Sequence, residues 1–131
     1  MNQQQQPSAA FIGVSWISLI TGILAYNVGL FNSTLMMNEK GYYFVVLMYG
    51  LFAAVTVQKS VRDKMEDIPV SSIFFAISWF SSILAVLLLI IGLWNSTVLT
   101  FSEKGFYGIS FILSLFSAIT VQKNTRDSMN K

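Results

Sequence analysis

Four long stretches without a single Asp, Glu, Lys or Arg dominate this chain, at residues 9–31, 41–57, 70–94 and 105–121. A helix rises about 1.5 Å per residue, so runs of this length match the ~30 Å hydrocarbon core of a bilayer. A soluble four-helix bundle would need a polar stripe along every helix. Segments such as "SSILAVLLLIIGLW" are instead apolar around their whole circumference. Charged residues make up 11% of the chain, where a soluble domain needs about 25% to clothe its surface. The expected fold is therefore all-α: an integral membrane four-helix bundle with lipid as its solvent.

The same composition removes whole classes of chemistry. With no Cys and no His, disulfides, thiolate nucleophiles and the commonest metal ligand are all excluded. The eight basic residues lie at the ends of the apolar runs and give a net charge of only +2. They form no stripe that could follow a phosphate backbone, so no nucleic-acid partner is expected. Ionisable groups at membrane depth mark proton and ion pathways, and the runs contain none. Glu39, Glu103, Asp63 and Asp127 all lie at run ends beside Lys or Arg, so no nucleophile–base–orienter set can be assembled. Neither an enzyme nor a cofactor is expected.

Charge also suggests an orientation. "QKSVRDKMED" and the C-terminal "QKNTRDSMNK" contribute Lys59, Arg62, Lys64, Lys123, Arg126 and Lys131 to one side, against Lys40 and Lys104 on the other. The positive-inside rule then places both termini in the cytoplasm, and an even number of spans requires them to share a side. Trp94, Tyr42, Tyr43, Phe106 and Tyr107 gather at the opposite interface, where amphipathic rings prefer to sit. The polar, low-complexity start at residues 1–8 is read as a disordered tail.

The chain also says the same thing twice. "GLFNSTLMMNEKGYYF" returns as "GLWNSTVLTFSEKGFYG". Aligning Ser15-Trp16 with Ser78-Trp79 brings Asn32-Ser33-Thr34 onto Asn95-Ser96-Thr97. After a one-residue insertion near Phe101, Glu39-Lys40-Gly41 falls on Glu103-Lys104-Gly105, and Arg62-Asp63 on Arg126-Asp127. This is a tandem repeat, dividing the chain into residues 9–67 and 68–131. Each unit is expected to be a helical hairpin, the two sharing one orientation and related by a pseudo-two-fold axis along the membrane normal.

These phrases, with the paired QK-x-x-RD pattern, resemble the YiaA/YiaB family of bacterial inner-membrane proteins, in a form with two copies of the YiaAB two-helix domain. The resemblance covers nearly the whole chain after the tail. It implies a multi-pass protein of the cell inner membrane, and implies no substrate, cofactor or catalytic residue.

Two groups of residues are candidates for contact with something else. The first is an outer-loop polar site of Asn32, Glu39, Lys40, Gly41, Asn95, Glu103, Lys104 and Gly105. Each also has a structural explanation: Asn38 and Ser102 as N-caps, Glu39 and Glu103 on the positive end of a helix dipole, the lysines reaching for headgroups, and the glycines admitting a neighbouring backbone. The second is a cytoplasmic contact of Gln58, Lys59, Arg62, Asp63, Gln122, Lys123, Arg126 and Asp127. Here Lys59–Asp63 and Lys123–Asp127 are i,i+4 pairs that suit a solvated helix end; docking of a cytosolic protein or anionic lipid headgroups is the alternative. Within the spans, Ser18 and Gly22, Gly50 and Ala54, Ser78 and Ser82, and Ser110, Ser114 and Ala118 form small-xxx-small faces for close packing. Asn27 is a strongly polar span residue whose repeat partner is apolar, Ile90.

The functional expectation is a non-enzymatic structural or accessory membrane protein acting through helix packing or self-association. Its partners would be the lipid bilayer and a homo-oligomer, with no identified small-molecule ligand. The alternative is a small transporter or channel for a neutral solute, formed by an oligomer.

Overall fold

The computed structural model describes residues 6–129. Most of the expected tail, residues 1–5, and the last two residues, including Lys131, lie outside this range. Within it the chain forms four helices: α1 (Ala9–Phe31), α2 (Met37–Met65), α3 (Ser72–Asn95) and α4 (Phe101–Met129). All four are long and apolar enough to cross a membrane. Ser8 and its repeat counterpart Ser71 start α1 and α3 alike, each hydroxyl accepting a backbone N–H three residues on, from Phe11 and Phe74, at 3.1 Å. Ser8 thus belongs to the helix start and not to a tail.

The caps of α2 and α4 differ from expectation. Asn38 and Ser102 lie inside the first turn, and the helices begin at Met37 and Phe101. Glu103 accepts from the Thr100 N–H at 2.7 Å while the Thr100 hydroxyl accepts from the Glu103 N–H at 3.1 Å. This reciprocal capping box is available because Thr-x-x-Glu has the right spacing. Glu39 accepts from the Met36 N–H at 3.0 Å in the same way, although Met36 has no hydroxyl to return the bond. Leu35 and Leu99, 4% and 6% exposed, hold equivalent buried positions in the two connections. The extra residue of the second repeat therefore precedes Leu99, rather than lying near Phe101.

The helices do not pack by hairpin. α1 packs chiefly on α4, α3 chiefly on α2, and α2 and α4 meet at the centre, while hairpin mates scarcely touch. The order across the bundle is α1, α4, α2, α3, unchanged when the two repeats are exchanged. Close helix approach in lipid needs small residues, and Gly22 of α1 supplies one: a Cβ there would lie 2.6 Å from Ser114 Oγ and 3.0 Å from its backbone nitrogen. At the centre, a Cβ on Gly50 would meet the Phe111 ring at 2.9 Å. Gly29 against the Phe106 ring and Gly92 against the Tyr42 ring, both 2.7 Å, are repeat equivalents of one another. Gly41 and Gly105 meet nothing within 4 Å, so the close approach expected of them does not occur.

The span hydroxyls are satisfied within their own helices. Ser15, Ser60, Ser78, Ser82, Ser110 and Ser114 each donate to a carbonyl three or four residues earlier, at 2.8–3.1 Å. Asn27 does likewise, to the Ile23 carbonyl at 2.9 Å. Its Oδ1 is buried without a hydrogen-bond partner, and no bond from it to another helix is formed.

Candidate functional site

The two ends of the bundle are built from different chemistry. At the end carrying the Asn-Ser-Thr connections, called the loop end here, aromatic side chains fill the axis. Tyr43 and Tyr107, equivalent residues of the two repeats, stack at 6.2 Å with their planes 12° apart. Tyr26, fully buried, meets the Tyr107 ring edge-on at 5.7 Å and donates its hydroxyl to the Tyr43 carbonyl at 2.8 Å. Tyr42 reaches across to α3, donating to the Leu88 carbonyl at 2.5 Å. A phenol buried at this depth needs such a partner, and a helix carbonyl has a second lone pair to offer.

Around that core the loop candidates make local bonds. Asn32 and Asn95 donate to the Val28 and Ile91 carbonyls, at 2.9 and 3.0 Å, closing the last turns of α1 and α3. Glu39 and Glu103 close the first turns of α2 and α4 as described. Lys40 donates to the Phe31 carbonyl at 3.3 Å, capping the C-terminus of α1 from the start of α2. Each of these bonds stays within its own hairpin. Lys104 is half-buried, and Gly41 and Gly105 sit on the outside.

At the opposite, basic end the two repeats reach for each other. Arg62 of α2 pairs with Asp127 of α4, and Arg126 of α4 pairs with Asp63 of α2 at 2.5 Å. Arg62 also bonds Glu66 at 2.6 Å, and Arg126 reaches the same carboxylate at 3.0 Å. Lys59–Asp63 at 2.7 Å and Lys123–Asp127 at 2.9 Å flank the exchange as the expected i,i+4 pairs. Hydrogen bonds from the Arg62 and Arg126 guanidiniums hold the Glu66 carboxyl below the ordinary carboxylate range. One turn nearer the bilayer, Asn124 of α4 donates to Ser15 of α1 at 3.2 Å, and its Oδ1 is buried unpartnered. Its repeat counterpart is Ser60, so this bond belongs to one seam only.

The crosswise Arg–Asp exchange is not foreseen by the sequence, which pairs Asp63 and Asp127 with Lys59 and Lys123 and leaves Arg62 and Arg126 to an outside contact. Its signal is present all the same. Arg62 and Asp63 are adjacent, so they project about 100° apart around the helix, and one of them must leave the i,i+4 stripe. When Arg-Asp recurs in a second repeat related by a two-fold axis, each Arg finds the other's Asp. Gln58 lines a groove between α2 and α4 at this end. Gln122 is half-buried on the equivalent turn of α4.

A bundle of four apolar helices, built from two equivalent hairpins and clasped by a duplicated Arg-Asp pair, defines a multi-pass membrane protein of tandem two-helix domains. The yiaA/B two helix domain matches twice, at residues 11–63 and 74–127, and the chain belongs to that family. It is 55% identical over 121 residues to the inner membrane protein YiaA of Escherichia coli (strain K12), covering 92% of this chain and 83% of that one. A Bacillus subtilis (strain 168) protein, described as the uncharacterized membrane protein YubF, is 32% identical over 65 residues. That match takes in 49% of this chain and 75% of the relative, the extent of a single hairpin. No solved structure matches the chain.

Proposed function

We propose that this chain is a structural or accessory protein of the cytoplasmic membrane that acts through helix packing and self-association, without a catalytic step. Its two termini face the cytoplasm, as the excess of Lys and Arg at the basic end favours. The observation that supports an architectural role is the filled axis. Tyr26, Leu47 and Phe111 are wholly buried, with Tyr43 and Tyr107 at 4% and 3% exposure above them, so packing takes the space a solute path would need.

Self-association is supported by the outward glycines. Gly105 and Gly108 line an apolar groove between α3 and α4, together with Val86, Leu89, Ile90 and Ile112. The equivalent position to Gly108 in the first repeat is Phe44, whose ring packs at 6.1 Å from Phe31. One hairpin thus fills its own groove, and the other leaves room for a neighbouring helix. Because the chain has no Cys, a Gly108→Cys variant oxidised in native membranes tests the idea cleanly. A disulfide-linked dimer is expected, and a chain that stays monomeric under crosslinking contradicts self-association through this face. Solute uptake into proteoliposomes above that of empty vesicles would replace the accessory role with a neutral-solute carrier.

A further inference from the structure

The two outer seams of the bundle diverge near the basic end. Between α1 and α4 lies a cleft of about 260 Å³, lined by Ile12, Trp16, Val121, Asn124, Thr125 and Ser128. The equivalent positions between α3 and α2 are Phe75, Trp79, Val57, Ser60, Val61 and Lys64. There the Lys64 ammonium sits over the Phe75 ring, 4.2 Å from its centre, so that seam is closed by its own side chains. Ile12 and Ser128 are the smaller pair and leave their seam open. The bond between Asn124 and Ser15 sets the depth of the cleft. It lies level with Trp16, and an exposed Trp at a span end marks the membrane–water interface. Ser128 lies about 6 Å beyond Asn124 along α4, at 1.5 Å per residue, so the cleft runs through the headgroup layer.

The cleft is polar without being charged. Asn124, 3% exposed, spends its Nδ2 on Ser15 and leaves its Oδ1 buried without a partner. The hydroxyls of Thr125 and Ser128 make no hydrogen bond among the described residues. Trp16, half-exposed, contributes an aromatic ring, and Ile12 and Val121 complete the apolar part. An unmet amide oxygen requires a donor, while a hydroxyl can both donate and accept. With no Lys, Arg, Asp or Glu in the lining, a phosphate finds no cation there and an ammonium finds no carboxylate. Groups that donate and accept without charge are hydroxyls, and the apolar face of an indole suits the C–H face of a sugar ring. Asn124, Thr125 and Ser128 stand where the closed seam has Ser60, Val61 and Lys64, so this character belongs to one seam only.

We propose that this cleft binds the sugar headgroup of an uncharged glycolipid, its hydroxyls on Asn124, Thr125 and Ser128, its apolar face on Trp16 and its acyl chains in the bilayer. Anionic and zwitterionic phospholipids are disfavoured because their charges would lie in the cleft without a counterpart. The site is independent of the groove at Gly105 and Gly108 and stands whether or not the chain self-associates.

The test uses the full-length protein in vesicles of phosphatidylethanolamine and phosphatidylglycerol that carry equal small amounts of monoglucosyl diacylglycerol and diacylglycerol. These two share an anchor and differ in the sugar. The protein is released gently, and its retained lipid is identified by native mass spectrometry. The glucolipid should be retained about tenfold over diacylglycerol, as one or two added hydrogen bonds allow. Ile12→Phe combined with Ser128→Lys rebuilds the closed seam of the other repeat and should erase that preference. Thr125→Val alone should reduce it about threefold. Equal retention of the two lipids, enrichment of phosphatidylglycerol over the glucolipid relative to their shares of the vesicle, or an unchanged preference in the closed variant overturns the site. Methyl glucoside at millimolar concentration should leave retention unaltered; its displacing the glucolipid would assign the cleft to a soluble sugar and overturn the lipid. Should the closed variant lose helicity, Thr125→Val decides instead, because an unchanged preference there also overturns the site.

Discussion

The loop end and the basic end hold the same four helices together by opposite means. At the loop end, caps close each helix locally, Lys40 ties α2 back to α1, and stacked rings fill the axis between the repeats. At the basic end, the repeats are joined directly by charge, with each Arg taking the other repeat's Asp. The difference follows the solvent. In hydrocarbon, a charge is costly while an aromatic ring packed on a glycine meets no desolvation penalty. At the headgroup level, the guanidinium can stay partly hydrated, and a carboxylate pairs without the full cost of burial. One end is therefore insensitive to salt and sensitive to shape, and the other is the reverse.

Substitutions can break that contrast in graded steps. Tyr26→Ala removes a fully buried ring and its bond to Tyr43, and should destabilise the protein by about 3 kcal/mol, read by unfolding in mixed micelles. Gly29→Leu and Gly92→Leu should each cost about 1–3 kcal/mol through overpacking. Gly92→Leu should cost at least as much as Gly29→Leu, since Gly29 opposes the Phe106 ring alone while Gly92 opposes both Tyr42 and Tyr43; a clearly cheaper Gly92→Leu would refute this account of the seams.

Asp127→Asn comes next, at about 1–2 kcal/mol, because its pairing with Arg62 is intermediate between exposed and buried ion pairs. A double-mutant cycle with Arg62→Gln should show a coupling energy that shrinks in about 1 M salt, where the screening length is only ~3 Å. The cost of Tyr26→Ala should not change with salt. The smallest effect expected is that of Lys59→Gln, about 0.3 kcal/mol, as for an exposed i,i+4 pair. Acid should also loosen the basic end. The Glu66 carboxyl titrates below its ordinary value, so its contribution is complete at neutral pH and is lost only as the pH falls below about 4. Far-UV circular dichroism with Arg62 and Tyr26 variants followed in parallel would show which end yields first.

Much of this was legible in the sequence because lipid imposes so simple a rule. Charge-free runs gave the spans, and the repeated Asn-Ser-Thr, Glu-Lys-Gly and Arg-Asp phrases gave the two hairpins. The partner of each helix was not legible. A face that meets lipid and a face that meets another helix are both apolar, so no periodicity tells Ile17, which is exposed, from Tyr26, which is buried. The starts of α2 and α4 were misplaced for another reason: Asn38 and Ser102 are good caps in isolation, but the Glu two residues after Met37 and Phe101 pulls each helix start upstream. Gly41 and Gly105 misled because a glycine in a span signals close approach only when another helix is there to approach. As for the candidate residues, their local bonds account for their composition, while the crosswise pairing required knowing that α2 and α4 are neighbours.

That α1 pairs with α4 bears on how the protein is made. α1 leaves the ribosome well before α4, its main neighbour, so the face of α1 carrying Ser15, Gly22 and Tyr26 must wait in the bilayer until α4 has been made. A chain stalled after α2 would strand a hairpin whose two arms have little hold on each other, leaving it open to degradation or to capture by a hairpin from another molecule.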